Sequence, residues 1–360
     1  MSDASWPKAR GARFNPKPRF ERLDREAFDD GWDRHEEEEG EPPPLPTTVR
    51  IEPARSIITR NESPDIPFDR SINPYRGCAH GCVYCFARPG HSYLELSPGL
   101  DFETKLFAKP NAPDLLEAEL RKPGYRPGVI AIGTNTDPYQ PIERTYRIMR
   151  RCLEVLAAFN HPVSIVSKSH LITRDLDILG PMAAKRLASV GISVTTLDRG
   201  LHHKLEPRAA LPAKRLEAIR RLSEAGVPTA VLAAPMIPRI NDHELEAILA
   251  AAKEAGATAA AYILLRLPYE VKALMADWLA VHFPDRAEHV LSLLTQQRQG
   301  ALNDSRFGRR QTGTGQHAEL LAQRFRLAVR KLGLNQGRDY GLDVTQFKPP
   351  PRVGDQLGLF

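Results

Sequence analysis

The chain has 360 residues, of which 42% are hydrophobic and 26% are charged. This length and composition are typical of a soluble globular protein with a large core. No apolar run approaches the ~18 residues of a membrane span, and the polar, basic N-terminus lacks the apolar stretch of a secretion signal. Four cysteines are too few for a disulfide scaffold. We therefore expect a cytoplasmic protein that does not bind membranes.

The charge is unevenly distributed along the chain. The formal net charge is +6, from 50 Lys and Arg against 44 Asp and Glu. Residues 296–360 hold 11 basic and 5 acidic residues, so the rest of the chain carries 39 of each sign and is neutral. Because an excess of basic charge attracts anions, the C-terminal region is predicted to contact an anionic partner.

Residues 1–65 show little hydrophobic periodicity. They contain four consecutive glutamates, at 36–39, and a proline-rich PPPLP segment. Such compositions are typical of segments that bury too little apolar surface to fold. We predict a disordered N-terminal tail over residues 1–65.

Residues 66–268 alternate between apolar, β-branched runs and helical patterns. A short strand is predicted at 70–74, and five longer runs follow: VIAIGT (129–134), PVSIVSKS (162–169), GISVTTLD (191–198), PTAVLAAP (228–235) and AAYILLRLP (260–268). Such runs are typical of buried parallel strands, and their spacing of ~30–37 residues matches a βαβ unit. The predicted fold is α/β, a partial (β/α)6-type or full barrel with its chemistry at the carboxyl ends of the strands.

The helical segments between these strands have recognisable ends. Segment 141–160 begins with a proline, segments 174–191 and 212–226 end at glycine, and segment 241–256 begins with an Asn or Asp cap. After residue 268 only helical patterns follow. We predict a helical C-terminal extension over 269–340 and a flexible, proline-stiffened tail over 341–360.

Three of the four cysteines lie within eight residues, in SINPYRGCAHGCVYCFARP. Cys78, Cys82 and Cys85 are spaced C-x3-C-x2-C, which leaves an odd sulfur and disfavours disulfides. Thiolates suit zinc or an iron–sulfur cluster. Structural zinc needs a fourth protein ligand, for which His80 and His91 are candidates. A [4Fe–4S] cluster on three cysteines leaves one iron open to an external ligand.

Gly77 and Gly81 allow the backbone to turn so that the three sulfurs converge. With the aromatic Tyr84 before the third cysteine, the motif resembles that of the radical S-adenosylmethionine (SAM) superfamily. The resemblance implies a [4Fe–4S] cluster on the three cysteines, a role for Tyr84 in cofactor binding, and an open iron that binds the amino and carboxylate groups of SAM. It also implies one-electron cleavage of SAM to a 5′-deoxyadenosyl radical, with an electron donor such as flavodoxin or ferredoxin.

Four downstream segments are similar to the spore photoproduct lyase-like branch of this superfamily, often labelled DNA repair photolyase-like. The segments are GTNTDPYQPIE, VSKSHLITRDLDIL, VTTLDRGLHHKLEPRA and APMIPRIND. The resemblance implies SAM contacts at the strand ends. Thr134, Asn135 and Asp137 would contact the methionine amino group, and Lys168 would contact its carboxylate. Thr196 would contact the same cofactor, and Glu206 lies in the family's Glu-Pro element. The backbone of residues 234–237 would contact the adenine.

Several of these residues also have a structural interpretation. Asp137 precedes a proline and suits a turn or a helix cap. Thr195 and Thr196 are good strand formers, and Glu206 is suited to pair with Arg208. A lysine that ends a buried apolar strand, as Lys168 does, more often binds an anion.

The sequence departs from the lyases at one informative place. The stretch matching IGTNTD has no cysteine, whereas true spore photoproduct lyases carry a hydrogen-donating cysteine there. Cys152 lies on an apolar helix face and is predicted to be a packed core thiol. The resemblance therefore extends to the fold and the cofactors and not to the substrate of the lyases.

The C-terminal end carries two further features. Basic residues lie in a glycine-containing loop and on the helix after it: Arg306, Arg309, Arg310, Arg324, Arg326, Arg330 and Lys331. They suit contacts with nucleic-acid phosphates, or else form a solvated or salt-bridged face. The last residues, Gln356–Phe360, resemble the bacterial sliding-clamp-binding peptide; the alternative is a tail that folds back over an apolar patch.

These features favour a radical SAM enzyme that acts in nucleic-acid repair or modification. One alternative is the same radical chemistry on a peptide or a small metabolite. The other is a zinc-stabilised adaptor that binds nucleic acid or the clamp and is not an enzyme.

Overall fold

The computed structural model describes residues 7–21, 45–336 and 341–351. Ten strands lie in these ranges. They are β1 (Thr48–Ile51), β2 (Ile58–Arg60), β3 (Arg70–Ile72), β4 (Tyr75–Arg76), β5 (Lys105–Ala108), β6 (Ile130–Ile132), β7 (Val163–Ser167), β8 (Ala188–Ser193), β9 (Thr229–Met236) and β10 (Ala259–Leu264).

Eleven α-helices lie in the same ranges. They are α1 (Leu100–Thr104), α2 (Ala112–Leu120), α3 (Glu143–Tyr146), α4 (Ile148–Ala158), α5 (Leu176–Ala184), α6 (Arg199–Leu205), α7 (Pro212–Glu224), α8 (Leu245–Glu254), α9 (Val271–His282), α10 (Pro284–Gln297) and α11 (Gln316–Leu332). Short 3-10 helices span Arg88–Leu94, His170–Asp175 and Asp242–Glu244.

Six parallel strands form the centre of the fold. The main sheet has the order β10-β9-β8-β7-β6-β3-β2, with only β2 antiparallel, at the edge beside β3. β1, β4 and β5 form a second, three-stranded sheet. Helices follow the parallel strands as crossover connections, as a βα repeat requires. This open sheet of six parallel strands confirms the predicted partial (β/α)6 barrel.

The core lies between the sheet and its helices. Alternate residues of β7 and β9 are buried, and the apolar face of α4 belongs to the same hydrophobic cluster. Cys152 on α4 is fully buried in this core, which confirms its prediction as a packed thiol. Among the described residues, no helix is long and apolar enough to cross a membrane.

The strand predicted at 191–198 is shifted in the structure. β8 spans Ala188–Ser193, and the helix predicted to end at Gly191 is α5, which ends seven residues earlier, at Ala184. The chain turns at Arg186, which has a φ of 59°. Residues 188–190 also fit the apolar spacing of the preceding helix. They are small or apolar, however, and their burial in the sheet favours the strand over a longer helix. Gly191 is a strand residue and not a helix cap.

The structure differs from the prediction of a disordered tail over the described parts of 1–65. Residues 45–65 carry β1, which pairs with β5, and β2, which pairs with β3. Backbone hydrogen bonds to β5 and β3 hold these two strands in place, although the hydrophobic periodicity of residues 45–65 is too weak to predict strands. Residues 7–21 also contact the barrel, through buried side chains such as Ala12. The run of glutamates at 36–39 lies outside the described residues.

The C-terminal segments pack on the barrel as well. α11 lies against α8 and β10. Helices α9 and α10 share an apolar cluster with Cys82 and Tyr84, and Trp278 Nε1 donates to Lys204 O at 2.9 Å. In the predicted flexible tail, Phe347 packs against Tyr125 and other rings, so residues 341–351 follow the barrel surface. The clamp-like peptide 356–360 lies outside the described residues.

Gly133, directly after β6, provides a test of the fold. Its φ is 89°, and a Cβ there would lie 2.0 Å from Val166 O. We expect Gly133→Ala to lower the free energy of unfolding by about 3 kcal/mol or more, because strain and overpacking add. Gly180→Ala in α5 is the matched control. Its Cβ would meet only Ala225 O at 3.4 Å, and alanine favours helix by about 1 kcal/mol. Urea unfolding measures both; equal stability of the two variants would contradict the expectation.

Candidate functional site

The three clustered cysteines lie on one loop at the carboxyl end of the sheet. The loop follows β3 and β4, and its Cys78 and Cys82 thiols are 8% exposed while Cys85 is half-buried. All three thiols are free of disulfides. Gly77 and Gly81 have φ values of 71° and 68°, which confirms that the backbone turns at both. Residues 77–85 are called the cysteine loop below.

Side chains and backbone from distant elements hold the cysteine loop. Gln140 accepts a hydrogen bond from Ala79 N at 2.9 Å and donates to Gly77 O at 3.1 Å. On the other side, Val83 N donates to Leu205 O at 3.1 Å, and Arg208 N donates to His80 O at 3.2 Å. The backbone groups between the thiols are therefore satisfied by the barrel, and the loop is preorganised for a ligand.

A buried ion pair lies directly beneath the loop. Arg88 and Glu103 are fully buried, and Arg88 Nη2 lies 2.5 Å from Glu103 Oε1. Arg88 Nε donates to Cys82 O at 2.9 Å, and Arg88 Nη1 donates to Gly99 O at 2.9 Å. The same guanidinium therefore supports the loop and the turn before α1. Because both charges are buried, removal of either partner would be strongly destabilising.

Residues 7–21 form a strap across the cysteine loop. Gly11 N and Ala12 N both donate to the Glu103 carboxylate at 2.9 Å. Gly11 is so close to the loop that a Cβ on it would lie 1.6 Å from Gly81 O. Further along, Ser97 Oγ donates to Pro16 O at 2.6 Å. The strap thus shields the loop from solvent, a role that the sequence pattern of 1–65 did not indicate.

The donor set fits an iron–sulfur cluster better than zinc. The two candidate fourth ligands are engaged elsewhere: His91 Nε2 lies 3.0 Å from Lys105 O, and His80 Nδ1 lies 3.5 Å from Asp137 Oδ2. Among the described residues, no three Cys, His, Asp or Glu side chains are gathered tightly enough for one metal ion. A cluster spreads its ligands over several irons and needs only the three thiols.

Burial makes the free thiols weak acids. It raises the pKa of Cys78 to about 12 and holds the pKa of Cys82 well above its ordinary value. Thiolates are therefore stable on this loop only when a cationic centre compensates their charge, as in iron or zinc binding.

The predicted residues after β6 fall into two groups. Thr134 is half-buried and Asn135 is exposed, and neither side chain has a hydrogen-bond partner among the described residues. Asp137 is fully engaged: Oδ1 accepts from Ser167 Oγ at 2.8 Å, and Oδ2 accepts from Lys168 N at 2.7 Å. It also caps its own turn through Tyr139 N. Thr134 and Asn135 are thus available to a ligand, whereas Asp137 joins the ends of β6 and β7.

Lys168 lies at the end of β7 and faces the site. Its ammonium group has no hydrogen bond or ion pair with any described residue. Its positive charge favours the ionised forms of Cys82 and Glu206. It opposes the rise that burial causes in the pKa of Cys82 and adds to the lowering of the pKa of Glu206. A half-buried cation without a counterion near the cysteine loop is suited to bind an anionic group of a ligand.

Glu206 is the centre of a buried network rather than an exposed contact. One oxygen accepts from Tyr84 OH and, at 2.8 Å, from Thr195 Oγ1; the other accepts from Arg215. Burial alone would raise the pKa of Glu206, but the Arg215 charge and the His202 hydrogen bond hold it well below its ordinary value. The partner is Arg215 and not Arg208, which donates to Thr47 Oγ1 at 3.3 Å.

Thr196 and the end of β9 are also held by buried side chains. Thr196 Oγ1 donates to Glu244 Oε1 at 2.6 Å, and Leu197 N donates to Glu244 Oε2 at the same distance. Asn241 accepts from Ile237 N at 2.6 Å and donates to Pro235 O at 3.0 Å. The predicted adenine-binding backbone at 234–237 therefore has a fixed conformation.

The supporting residues were not found from the sequence. Gln140, Glu103, Arg215, Glu244 and Asn241 are all buried or half-buried polar side chains that hold loops of the site. Their partners are 4 to 92 residues distant in sequence, as the bonds from Ile237 to Asn241 and from Gly11 to Glu103 illustrate.

The predicted basic C-terminal surface is partly neutralised. Arg306 pairs with Asp304 at 2.7 Å, Arg310 with Asp65 at 2.5 Å, and Arg324 with Glu246 at 2.6 Å. The four other basic residues have no ion pair with a described residue: Arg309, Arg326, Arg330 and Lys331. An anionic partner at this end stays a prediction.

The comparison with protein families decides the classification. The model of the Radical SAM superfamily matches residues 72–252, which include the cysteine loop and β4 to β9. The chain belongs to the radical SAM superfamily. The cofactors of this superfamily are a [4Fe–4S] cluster and SAM. The predictions of family and fold are confirmed.

The relatives found by sequence carry no assigned activity. An uncharacterised protein of Mycobacterium tuberculosis is 38% identical over 222 residues, 61% of this chain and 65% of that protein. An uncharacterised protein of Methanocaldococcus jannaschii is 28% identical over 173 residues, 48% of this chain and 62% of that protein. The match thus spans less than two thirds of these relatives.

Solved structures of spore photoproduct lyase share the fold. The lyase complexed with dinucleoside spore photoproduct superposes with a TM-score of 0.58 and 15% identity, covering 79% of this chain and 80% of the lyase. A structure of the lyase with a cysteine-to-serine substitution gives the same values. At this identity the likeness establishes the barrel architecture.

The close contact of Gly11 with the cysteine loop gives a prediction about cluster protection. We expect Gly11→Ala to displace the strap and to speed the release of iron to a chelator by about tenfold, since overpacking costs about 1–3 kcal/mol. Gly90→Ala is the control, because a Cβ there meets no atom within 4 Å. Anaerobic decay of the iron–sulfur absorbance measures both rates. An unchanged rate in Gly11→Ala would show that the strap does not shield the loop.

Proposed function

We propose that Cys78, Cys82 and Cys85 hold the [4Fe–4S] cluster and that the enzyme uses it to modify or repair nucleic acid. The observation that carries the cluster assignment is the preorganised loop that bears three disulfide-free cysteines and whose neighbouring histidines are engaged elsewhere. The protein's task is to orient the cofactors and to exclude water, which the strap and helices α9 and α10 favour.

We infer that Thr134, Asn135 and Lys168 contact SAM. When bound, the reduced cluster supplies an electron that cleaves SAM to methionine and a 5′-deoxyadenosyl radical. The ammonium group of Lys168 is suited to the methionine carboxylate, and the unpaired groups of Thr134 and Asn135 suit the polar end of SAM. Because their polar atoms are already bonded, Asp137, Thr196, Tyr84 and Glu206 are positioning residues for this site.

The nucleic-acid substrate is supported by two observations. The fold matches that of a lyase solved with a dinucleoside photoproduct, and cations without an ion pair to any described residue lie near the cysteine loop. The absence of a cysteine in residues 129–137 argues for a product other than that of the lyase. We keep the cytoplasm as the location, with flavodoxin or ferredoxin as electron donor and Gln356–Phe360 as a clamp-binding peptide.

Anaerobic reconstitution of the full chain with iron and sulfide tests this proposal. The wild type and Cys152→Ala are expected to turn brown, to bind about four irons and to release 5′-deoxyadenosine when reduced with SAM. Cys82→Ala is expected to lose iron and product. Product release is then compared with duplex DNA, single-stranded DNA and tRNA. A colourless protein that binds zinc, or faster turnover with peptides than with any nucleic acid, would overturn the respective part of the proposal.

The unpaired ammonium of Lys168 gives a prediction about SAM affinity. We expect Lys168→Gln to raise the Kd for SAM by about tenfold, because a charge-assisted hydrogen bond contributes about 1.5–3 kcal/mol. Lys168→Arg is expected to retain part of the affinity. Lys253→Gln on the exposed face of α8 is the matched control. Equilibrium dialysis of the reconstituted protein measures the Kd; an unchanged value for Lys168→Gln would remove Lys168 from the site.

A further inference from the structure

A cleft of about 510 Å³ opens beside the cysteine loop. Its walls are the segments that follow β6 and β7, the segment 208–211 after α6, and one residue of α7. His80 of the cysteine loop and Ser169, next to Lys168, also line it. The volume is that of a small-ligand site, and the position is adjacent to the predicted cofactors.

Three arginines in this cleft have no carboxylate partner among the described residues. Arg144 has no side-chain hydrogen bond there, Arg208 donates to Thr47 Oγ1 at 3.3 Å, and Arg221 donates to Thr173 Oγ1 at 2.9 Å. Arg174 lines the same cleft but is paired with Glu143 and Asp175. The three unpaired arginines define what we call the arginine cleft.

A further cation lies behind the cleft. Thr47 Oγ1 accepts hydrogen bonds from both Arg208 and, at 2.9 Å, Arg10. Burial and the charge of Arg208 lower the pKa of Arg10, whereas the charge of Glu103 opposes this shift. Arg10 and Arg208 repel each other, and a bound anion would relieve the repulsion. The cleft therefore has a charge balance that favours an anionic ligand.

The shape of the guanidinium groups selects among anions. Each presents a planar fork of donors that matches phosphate or carboxylate oxygens, and Arg208 and Arg221 use one nitrogen each on neutral hydroxyls. Three such groups around a volume of this size suit adjacent phosphates better than a single carboxylate. By contrast, three of the basic residues predicted to bind nucleic acid at the C-terminal end are already neutralised.

We propose that the arginine cleft binds phosphate groups of the substrate and so positions it beside the cysteine loop. The inference rests on the proposed function, because it names where the substrate is held. The phosphate belongs either to a nucleic-acid backbone or to a free nucleotide. The link to the site is direct: Arg208 N donates to His80 O, between the first two cysteines.

Binding of a fluorescein-labelled single-stranded oligonucleotide to the full chain tests the cleft. We expect Arg144→Gln, Arg208→Gln and Arg221→Gln each to weaken binding by about tenfold, as expected for loss of a charge-assisted contact. Each should also reduce the slope of log K against log[salt] by about 0.7. Arg220→Gln is the matched control: it removes the same charge from the next residue of α7, is exposed, and does not line the cleft.

Competing ligands distinguish the two sources of phosphate. Tight oligonucleotide binding with weak competition by AMP and inorganic phosphate would support a nucleic-acid backbone. Binding of AMP or phosphate, lost in the three variants, without oligonucleotide binding would support a free nucleotide. Equal binding of a polyglutamate peptide of the same charge, equal loss in Arg220→Gln, or loss only in Arg309→Gln and Arg330→Gln would overturn the proposal. So would the absence of binding to any of these probes.

Two further measurements separate this proposal from the proposed function. Iron content and 5′-deoxyadenosine release without substrate are determined for every variant. If the cleft variants bind the oligonucleotide and AMP as the wild type does, and the chain releases 5′-deoxyadenosine, the arginine cleft is refuted and the radical chemistry stands. Loss of phosphate binding in cleft variants of a chain that releases no 5′-deoxyadenosine would support the cleft and refute the chemistry.

Discussion

The buried ion pair between Arg88 and Glu103 joins four separate parts of the chain. Glu103 on α1 accepts from the strap at Gly11 and Ala12, while Arg88 donates to the cysteine loop at Cys82 O and to the turn before α1. Breaking such a pair leaves a buried charge and costs about 3–5 kcal/mol. The conformation of the loop, the cover over it and the start of α1 therefore depend on one another.

A second buried pair, Glu206 with Arg215, performs the same function on the opposite side of the loop. Glu206 binds Tyr84 OH, so the aromatic residue of the cysteine motif is tied to α6 and α7 through a carboxylate. The motif thus has supports on both sides, and the predicted SAM contacts that make no side-chain hydrogen bond to a described residue are Thr134, Asn135 and Lys168. A site built this way holds rigid ligands and leaves a small number of groups available to the cofactor.

The distribution of charge has a different meaning in the folded chain than along the sequence. The basic excess of residues 296–360 is partly cancelled by Asp65, Glu246 and Asp304. The neutral barrel, in turn, brings Arg144, Arg208 and Arg221, which have no carboxylate partner in the described parts of the chain, together beside the cysteine loop. The net charge of a sequence segment can therefore suggest an anionic partner, but it does not indicate which surface of the folded chain would bind that partner.

The sequence by itself determined the parallel strands, the cysteine motif and the core position of Cys152, because hydrophobic periodicity and ligand spacing are local properties. It also placed Lys168 and Asp137 at strand ends. Only the tertiary structure decided that Asp137, Thr196 and Glu206 are bonded internally, that residues 7–21 cover the cysteine loop, and that Arg144, Arg208 and Arg221 share a cleft. The reason is physical: a buried polar group takes whichever partner the fold brings to it, and for Asp137, Thr196 and Glu103 that partner lies tens of residues away, beyond the reach of any local pattern.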